Sequence, residues 1–456
     1  MNPLLPKIRA LALPLLAGNL AVMGAGTIDT ILLGHYSKLD LASFSVAVSL
    51  NAMVYVFFMG LMQGVQQEIA RAYGAKDEAL VATCMQQGFL LSLLSGLVAV
   101  SLMSVLACHL HWLGLSPESA AISQAYILIT AVTVPLSLLQ RIFQMQANAS
   151  GQQKRVMWLN LSNLSIKALL SWLLIYGHVH TSVQGAIGAA LASGVALLLL
   201  FPWFVRGLTN VNGQRPWHLL LRTRRLSWPH LKPMLAVGVP NSITTLADVI
   251  GYTAMAILIA RMGTEAAGAH QIVANFTALM FFVPFSLATA CCILVNKEIG
   301  ASRQAEAVRL AHFSLRLSLL ICFALASVCV LARPLIAHSY TNDPAIHTLV
   351  LSVMFISCAY HLFDGQLAMI MGMLRCFGIT KMPMLIYVAF ICLGALTLGW
   401  VLAYHGLPGS TPLFAPMGVH GFWLAAGLCA ASAFCLLQRR LHQLLKHATD
   451  SSNQRA

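Results

Sequence analysis

Charge is scarce in this chain of 456 residues: Asp, Glu, Lys and Arg make up 9% of it, against about 25% in a soluble globular domain. Acidic residues are scarcer still, 13 against 27 basic ones. A chain that is also 59% hydrophobic, with a mean hydropathy of +0.79, has too little polar surface for a soluble protein. The signatures of common chemistry are missing as well. There is no phosphate-cradling glycine loop, no H-E-x-x-H and no nucleophile elbow. The 11 cysteines lie almost entirely in apolar segments, without a C-x-x-C, and the only close pair is Cys291–Cys292. They read as small buried hydrophobes, not as a disulfide or zinc framework. The pairs His109/His111 and His178/His180 have no carboxylate beside them and are not enough for a metal site.

What the chain has in quantity is apolar length. Twelve runs of about 20 residues or more recur, near 10–33, 44–68, 84–108, 121–146, 156–177, 184–205, 233–260, 270–296, 308–332, 345–373, 383–404 and 418–438. Each is long enough to cross a hydrocarbon layer of roughly 30 Å as a helix. The expected fold is therefore an all-α membrane protein with 12 transmembrane helices. The first 26 residues have the basic head and apolar body of a signal peptide, but the run is too long and leads into further spans, so an uncleaved first helix is expected.

The formal net charge of +14 does not point to nucleic acid, because of where the charges sit. With a cytoplasmic N-terminus, the outer loops carry Lys38, Arg261 and Arg333, while Arg141, Lys167 and Arg316 lie within spans. The other 21 of the 27 basic residues fall on the cytoplasmic side, a strong positive-inside bias that places both termini there. The densest basic cluster, "RPWHLLLRTRRLSWPHLK" at 215–232, sits between spans six and seven.

The chain also repeats itself. A shift of 226 aligns Pro14 with Pro240 and "YGAKDEA" (73–79) with "IGASRQA" (299–305). A shift of 227 brings "SGQQKRVM" (150–157) onto "FGITKMPM" (377–384), and "GAIGAALASG" (185–194) resembles "GVHGFWLAAG" (418–427). The expected organisation is an N-terminal lobe at 1–205, a basic cytoplasmic linker at 206–232, a C-terminal lobe at 233–440 and a polar cytoplasmic tail at 441–456. Two lobes of six spans each enter the membrane in the same direction and are related by an axis along its normal. That architecture suits a carrier better than a channel or an enzyme.

Most of the acidic residues lie at loops or span ends, which leaves Asp29, Asp248 and Asp364 deep in spans. An intramembrane carboxylate is costly and marks a functional site by default. Burial favours the protonated form of a carboxylate, a second carboxylate nearby favours it further, and a bound cation opposes it. Such groups exchange a proton for a cation. Tyr360 precedes Asp364 by four residues and shares its helix face. In span five, Asn160, Asn163, Lys167 and Ser171 draw one polar stripe, which faces protein or water. A lysine at that depth wants an anion, and Asp29 is the deep acid of its own lobe; a snorkelling lysine is the alternative. Phe281, Phe282 and Met62, with Gln271, are candidates to line a substrate cavity, although core packing or lipid contact accounts better for such apolar residues.

The stretches "LALPLLAGNLAVMGAGTIDTILLGHYS", "QQEIARAYGAKD", "AAGAHQIVANFTALMFFVPFS" and "YHLFDGQLAMIMGMLRCFGITK" resemble the multidrug and toxic compound extrusion (MATE) transporters, especially the NorM-type bacterial branch, over essentially the whole chain. The resemblance implies a monomeric efflux antiporter of the bacterial inner membrane, not an enzyme and without a cofactor. It would export organic, mainly cationic lipophilic compounds and drugs in exchange for H⁺ or Na⁺. It places Asp29 at the family's first-helix acid, Asp364 and Tyr360 at its tenth-helix acid and tyrosine, and Pro14 at a proline tied to bending of the first helix. Asp248 stands where NorM-type members have a glutamate. In span five, relatives tend to have asparagines where this chain has Lys167 and Ser171, and an ammonium there takes the place of a transported sodium ion, which favours proton coupling. The related flippases of lipid-linked or polysaccharide intermediates are the rival, and a basic cavity would favour them. Three deep acids against one or two deep bases suit cationic cargo better.

Overall fold

The computed structural model describes residues 3–177, 183–206, 215–221, 226–341, 343–405 and 415–453, which are almost entirely helical. Among them are 12 helices long and apolar enough to cross a membrane. In the first half these are α1 (Leu4–Tyr36), α2 (Lys38–Gly74), α3 (Glu78–Cys108), α4 (Pro117–Ser150), α5 (Gln153–Ile175) and α6 (Gly185–Arg206). A short α7 (Pro216–Leu221) follows in the basic linker. The second half comprises α8 (Trp228–Ala260), α9 (Thr264–Gly300), α10 (Gln304–Tyr340), α11 (Pro344–Cys376), α12 (Lys381–His405) and α13 (Val419–Asn453). Large side chains left uncovered by protein, such as Leu97, Val132, Leu198, Phe323 and Leu331, are apolar, as a surface facing hydrocarbon requires.

The corners between spans are set by local chemistry. Ser37 leaves the helical region after α1 and its hydroxyl accepts from the Asp40 amide at 3.2 Å, so one residue both ends α1 and starts α2. Asp77 caps α3 by accepting from the Leu80 amide at 2.9 Å. Ser116 and Asp343 do the same for α4 and α11, each followed by a proline at the first helical position. The sequence repeat reappears as backbone geometry. Left-handed φ angles recur at Lys76 (57°) and Ser302 (58°), at Gly151 (94°) and Gly378 (83°), and at Gly185 (60°) and Gly418 (55°). All three pairs are positions that the sequence repeat aligns. Gly185 is required for a second reason: a side chain there would collide with the Asp40 carboxylate, which accepts from the Ala186 amide at 2.9 Å.

The chain divides into two compact units, 1–242 and 243–456, so the boundary falls inside α8. In the first unit α1 packs on α5, and α4 packs on α2, α3 and α6. The first half of α8 belongs there because it lies directly against α2. Bare glycines allow this approach: a Cβ on Gly64 would meet the Met234 carbonyl, and one on Gly238 would meet the Leu61 carbonyl. Asn241 Nδ2 ties the seam by donating to the Gly60 carbonyl at 3.1 Å. In the second unit α11 is the central helix, packed on α9, α10 and α13, while α12 packs on α13. The helix at 381–405 is not uniform: it widens to π geometry over Val388–Gly394 and again over Val401–His405. Such widenings inside helices are frequent at functional sites.

Candidate functional sites

The buried stripe of α1 runs Ile8, Leu11, Pro14, Gly18, Ala21, Ala25, Asp29, Leu33, at spacings of three and four residues. Asp29 therefore continues the face that packs against protein. Small residues along the stripe let α5 come close: a Cβ on Gly18 would lie 3.0 Å from Asn160 Nδ2. From α5, Lys167 Nζ reaches Asp29 Oδ2 at 2.8 Å, and the Ser171 hydroxyl donates to Asp29 Oδ1 at 2.7 Å. The carboxylate is 1% exposed and the lysine side chain 12% exposed, so water contributes little to compensating either charge. The aspartate of the first helix thus carries its own tethered cation. Asn163, half-buried on the same helix, makes no hydrogen bond to the pair, and Asn160 instead donates to the Gly18 carbonyl at 3.5 Å.

The second unit holds a different arrangement. Asp248 on α8 accepts from the Tyr387 hydroxyl of α12 at 2.8 Å. Asp364, 7% exposed on α11, lies one turn from the buried Tyr360 on the same helix face. Tyr252, one turn beyond Asp248, lines the same cavity as Tyr360. No lysine or arginine pairs with either carboxylate among the described residues. A cavity of about 30 Å³ opens beside Asp248, lined by Tyr252, Tyr360 and Trp423 among otherwise apolar neighbours. That is room for one or two waters, not for an organic molecule.

The remaining candidates fall elsewhere. Met62 is fully buried, so it is core and does not line an open cavity. Phe281 and Phe282 are half-buried, with Phe281 stacked on Phe285 at 5.9 Å between ring centres, and Gln271 is exposed. Pro14 sits buried inside a continuous α1. His109 and His111 lie next to Trp112, and no group of three or more metal-ligating side chains occurs among the described residues. His178 and His180 lie outside the described residues.

Sequence reasoning missed Tyr387, Tyr252 and Trp423. Tyr252 had a signal, since it follows Asp248 by four residues just as Tyr360 precedes Asp364 by four. Tyr387 had none: it is a lone phenol in an apolar run, 139 residues from its partner.

The sequence model of the MatE family matches residues 14–173 and 240–401, one stretch in each half. A probable multidrug resistance protein NorM from Aromatoleum aromaticum is 28% identical over 417 residues, 91% of this chain and 89% of that protein. A second probable NorM, from Chromobacterium violaceum, is 27% identical and covers 96% of this chain and 95% of its own length. A solved outward-facing multidrug resistance MATE family transporter of the MOP superfamily superposes with a TM-score of 0.84 at 17% identity, covering 97% of this chain and 96% of its own.

Proposed function

The chain belongs to the MatE family and is a NorM-type MATE transporter, and from that premise we propose that it exports organic, mainly cationic lipophilic compounds in exchange for protons. The observation that carries the choice of proton is the state of the buried acids. Asp29 already holds an ammonium at 2.8 Å, so the deep carboxylate of the first unit has its charge balanced without a free sodium ion. In the second unit, the small cavity beside Asp248 offers a carboxylate and two phenols among apolar and aromatic neighbours. A sodium ion needs enough oxygen ligands to replace its hydration shell; a proton needs one carboxylate oxygen. Asp248 and Asp364 have no lysine or arginine partner among the described residues, so a proton taken up by either removes a buried charge that no cation compensates.

The test is counterflow of a cationic dye in proteoliposomes under separately imposed pH and Na⁺ gradients. A pH gradient alone is expected to drive dye uptake, and a Na⁺ gradient at fixed, equal pH is expected to drive none. Dye movement that follows only the Na⁺ gradient overturns proton coupling. Movement under neither gradient overturns the antiporter reading.

The protein is proposed to act as a monomer in the bacterial inner membrane with both termini cytoplasmic, on the 21 to 3 split of basic residues between the two sides. Cysteine labels placed in the 206–232 linker are expected to react only from the cytoplasm, and labels at 111–119 only from outside. The opposite pattern reverses the assigned direction of transport.

A further inference from the structure

Two thiols 84 residues apart in sequence meet at the C-terminal ends of α9 and α11. Cys376, the last residue of α11, is fully buried; its sulfur accepts from Asn296 Nδ2 at 3.1 Å and lies 3.7 Å from the Cys292 carbonyl oxygen. The Cys292 sulfur sits directly on α11 at Gly372, where a Cβ would come within 2.6 Å of it. Gly372 and Cys376 are one turn apart and share a face. The Arg375 guanidinium lies in the same pocket, 3.9 Å from that Cβ position, and its charge acts on both sulfurs. Cys292 is partly accessible while Cys376 is not. The neighbouring Cys291 is fully buried.

A cysteine buried for packing alone has neither a cation beside it nor a second cysteine in contact. This pair has both. One member is open to attack and the other is enclosed behind it, the arrangement of an attacking and a resolving thiol. We propose that Cys292 and Cys376 are a redox-modification site that closes to an intramolecular disulfide when a small disulfide oxidant reaches it, tying α9 to α11.

The steps balance. The Cys292 thiolate, its charge compensated by Arg375, attacks one sulfur of the oxidant R–S–S–R, forming a mixed disulfide and expelling RS⁻. The Cys376 thiolate then attacks the Cys292 sulfur, forming the protein disulfide and expelling the second RS⁻. The protein loses two protons and two electrons, and the oxidant leaves as two thiols.

The inference is independent of the transport reading, and so is its test. The folded protein is incubated with 2-hydroxyethyl disulfide, its free thiols are counted, and the peptides are mapped by mass spectrometry without reduction. The expected map joins Cys292 to Cys376 as the one disulfide within the protein, beside mixed disulfides on the exposed Cys108 and Cys435, and all 11 thiols are recovered after dithiothreitol. Cys376→Ala is expected to stop at a mixed disulfide on Cys292, and Cys292→Ala to leave Cys376 unmodified. The wild-type map alone decides the matter if either variant fails to fold. A map without that disulfide, or with one that joins other cysteines of the chain, overturns the proposal.

Discussion

Asp364→Asn is expected to abolish efflux driven by a pH gradient while leaving the protein folded and able to bind a cationic dye. The substitution is isosteric and removes a charge that no lysine or arginine compensates, so the fold loses little. What it removes is the titration itself: an amide at 364 can neither take up nor release a proton. Asp248→Asn is expected to act in the same way, and Asp29→Asn to weaken driven efflux from the first unit. Tyr387→Phe gives a graded control. It deletes one hydrogen bond to a buried carboxylate, worth about 1.5–3 kcal/mol, and is expected to shift the pH profile of driven efflux without abolishing it. The measurement is dye efflux against imposed pH difference in proteoliposomes, with equilibrium dye binding as the check on folding. Driven efflux at the wild-type rate in Asp364→Asn and Asp248→Asn removes both residues from the coupling step.

How much of this could be read from the sequence depended on whether the signal was local. The spans were legible because hydrophobic length suffices to identify them. The equivalence of Gly151 and Gly378 was legible because glycine advertises its left-handed corner. The matching corner at Lys76 and Ser302 was visible only through the aligned flanking residues, since neither is a residue type that favours positive φ. The polar stripe on span five was legible, and so was Asp29, because charges are rare enough there for each to need a partner. The tie from Asp248 to Tyr387 was hidden, because a phenol in an apolar run is compatible with any face. So were the two π segments of α12, since their widening leaves no fixed residue pattern. The thiol pair at 292 and 376 was obscured for a related reason: the visible adjacency is Cys291 with Cys292, whereas Cys376 lies 84 residues away.

The largest effect on stability is expected at Lys167. Its ammonium is the cationic partner 2.8 Å from Asp29, and the carboxylate keeps only the Ser171 hydroxyl bond if the ammonium is removed. Breaking a buried pair by deleting one partner costs roughly 3–5 kcal/mol, because the other charge is left uncompensated. Lys167→Ala is therefore expected to unfold at markedly lower temperature than the wild type in the same detergent. The double variant Asp29→Asn, Lys167→Ala separates the pair from its packing. If the penalty is the orphaned charge, the double variant recovers most of the lost stability, since an amide and an alanine leave nothing charged between α1 and α5. If the double variant is as unstable as Lys167→Ala, the loss comes from the missing aliphatic stem of the lysine, and Asp29 is held by Ser171 alone.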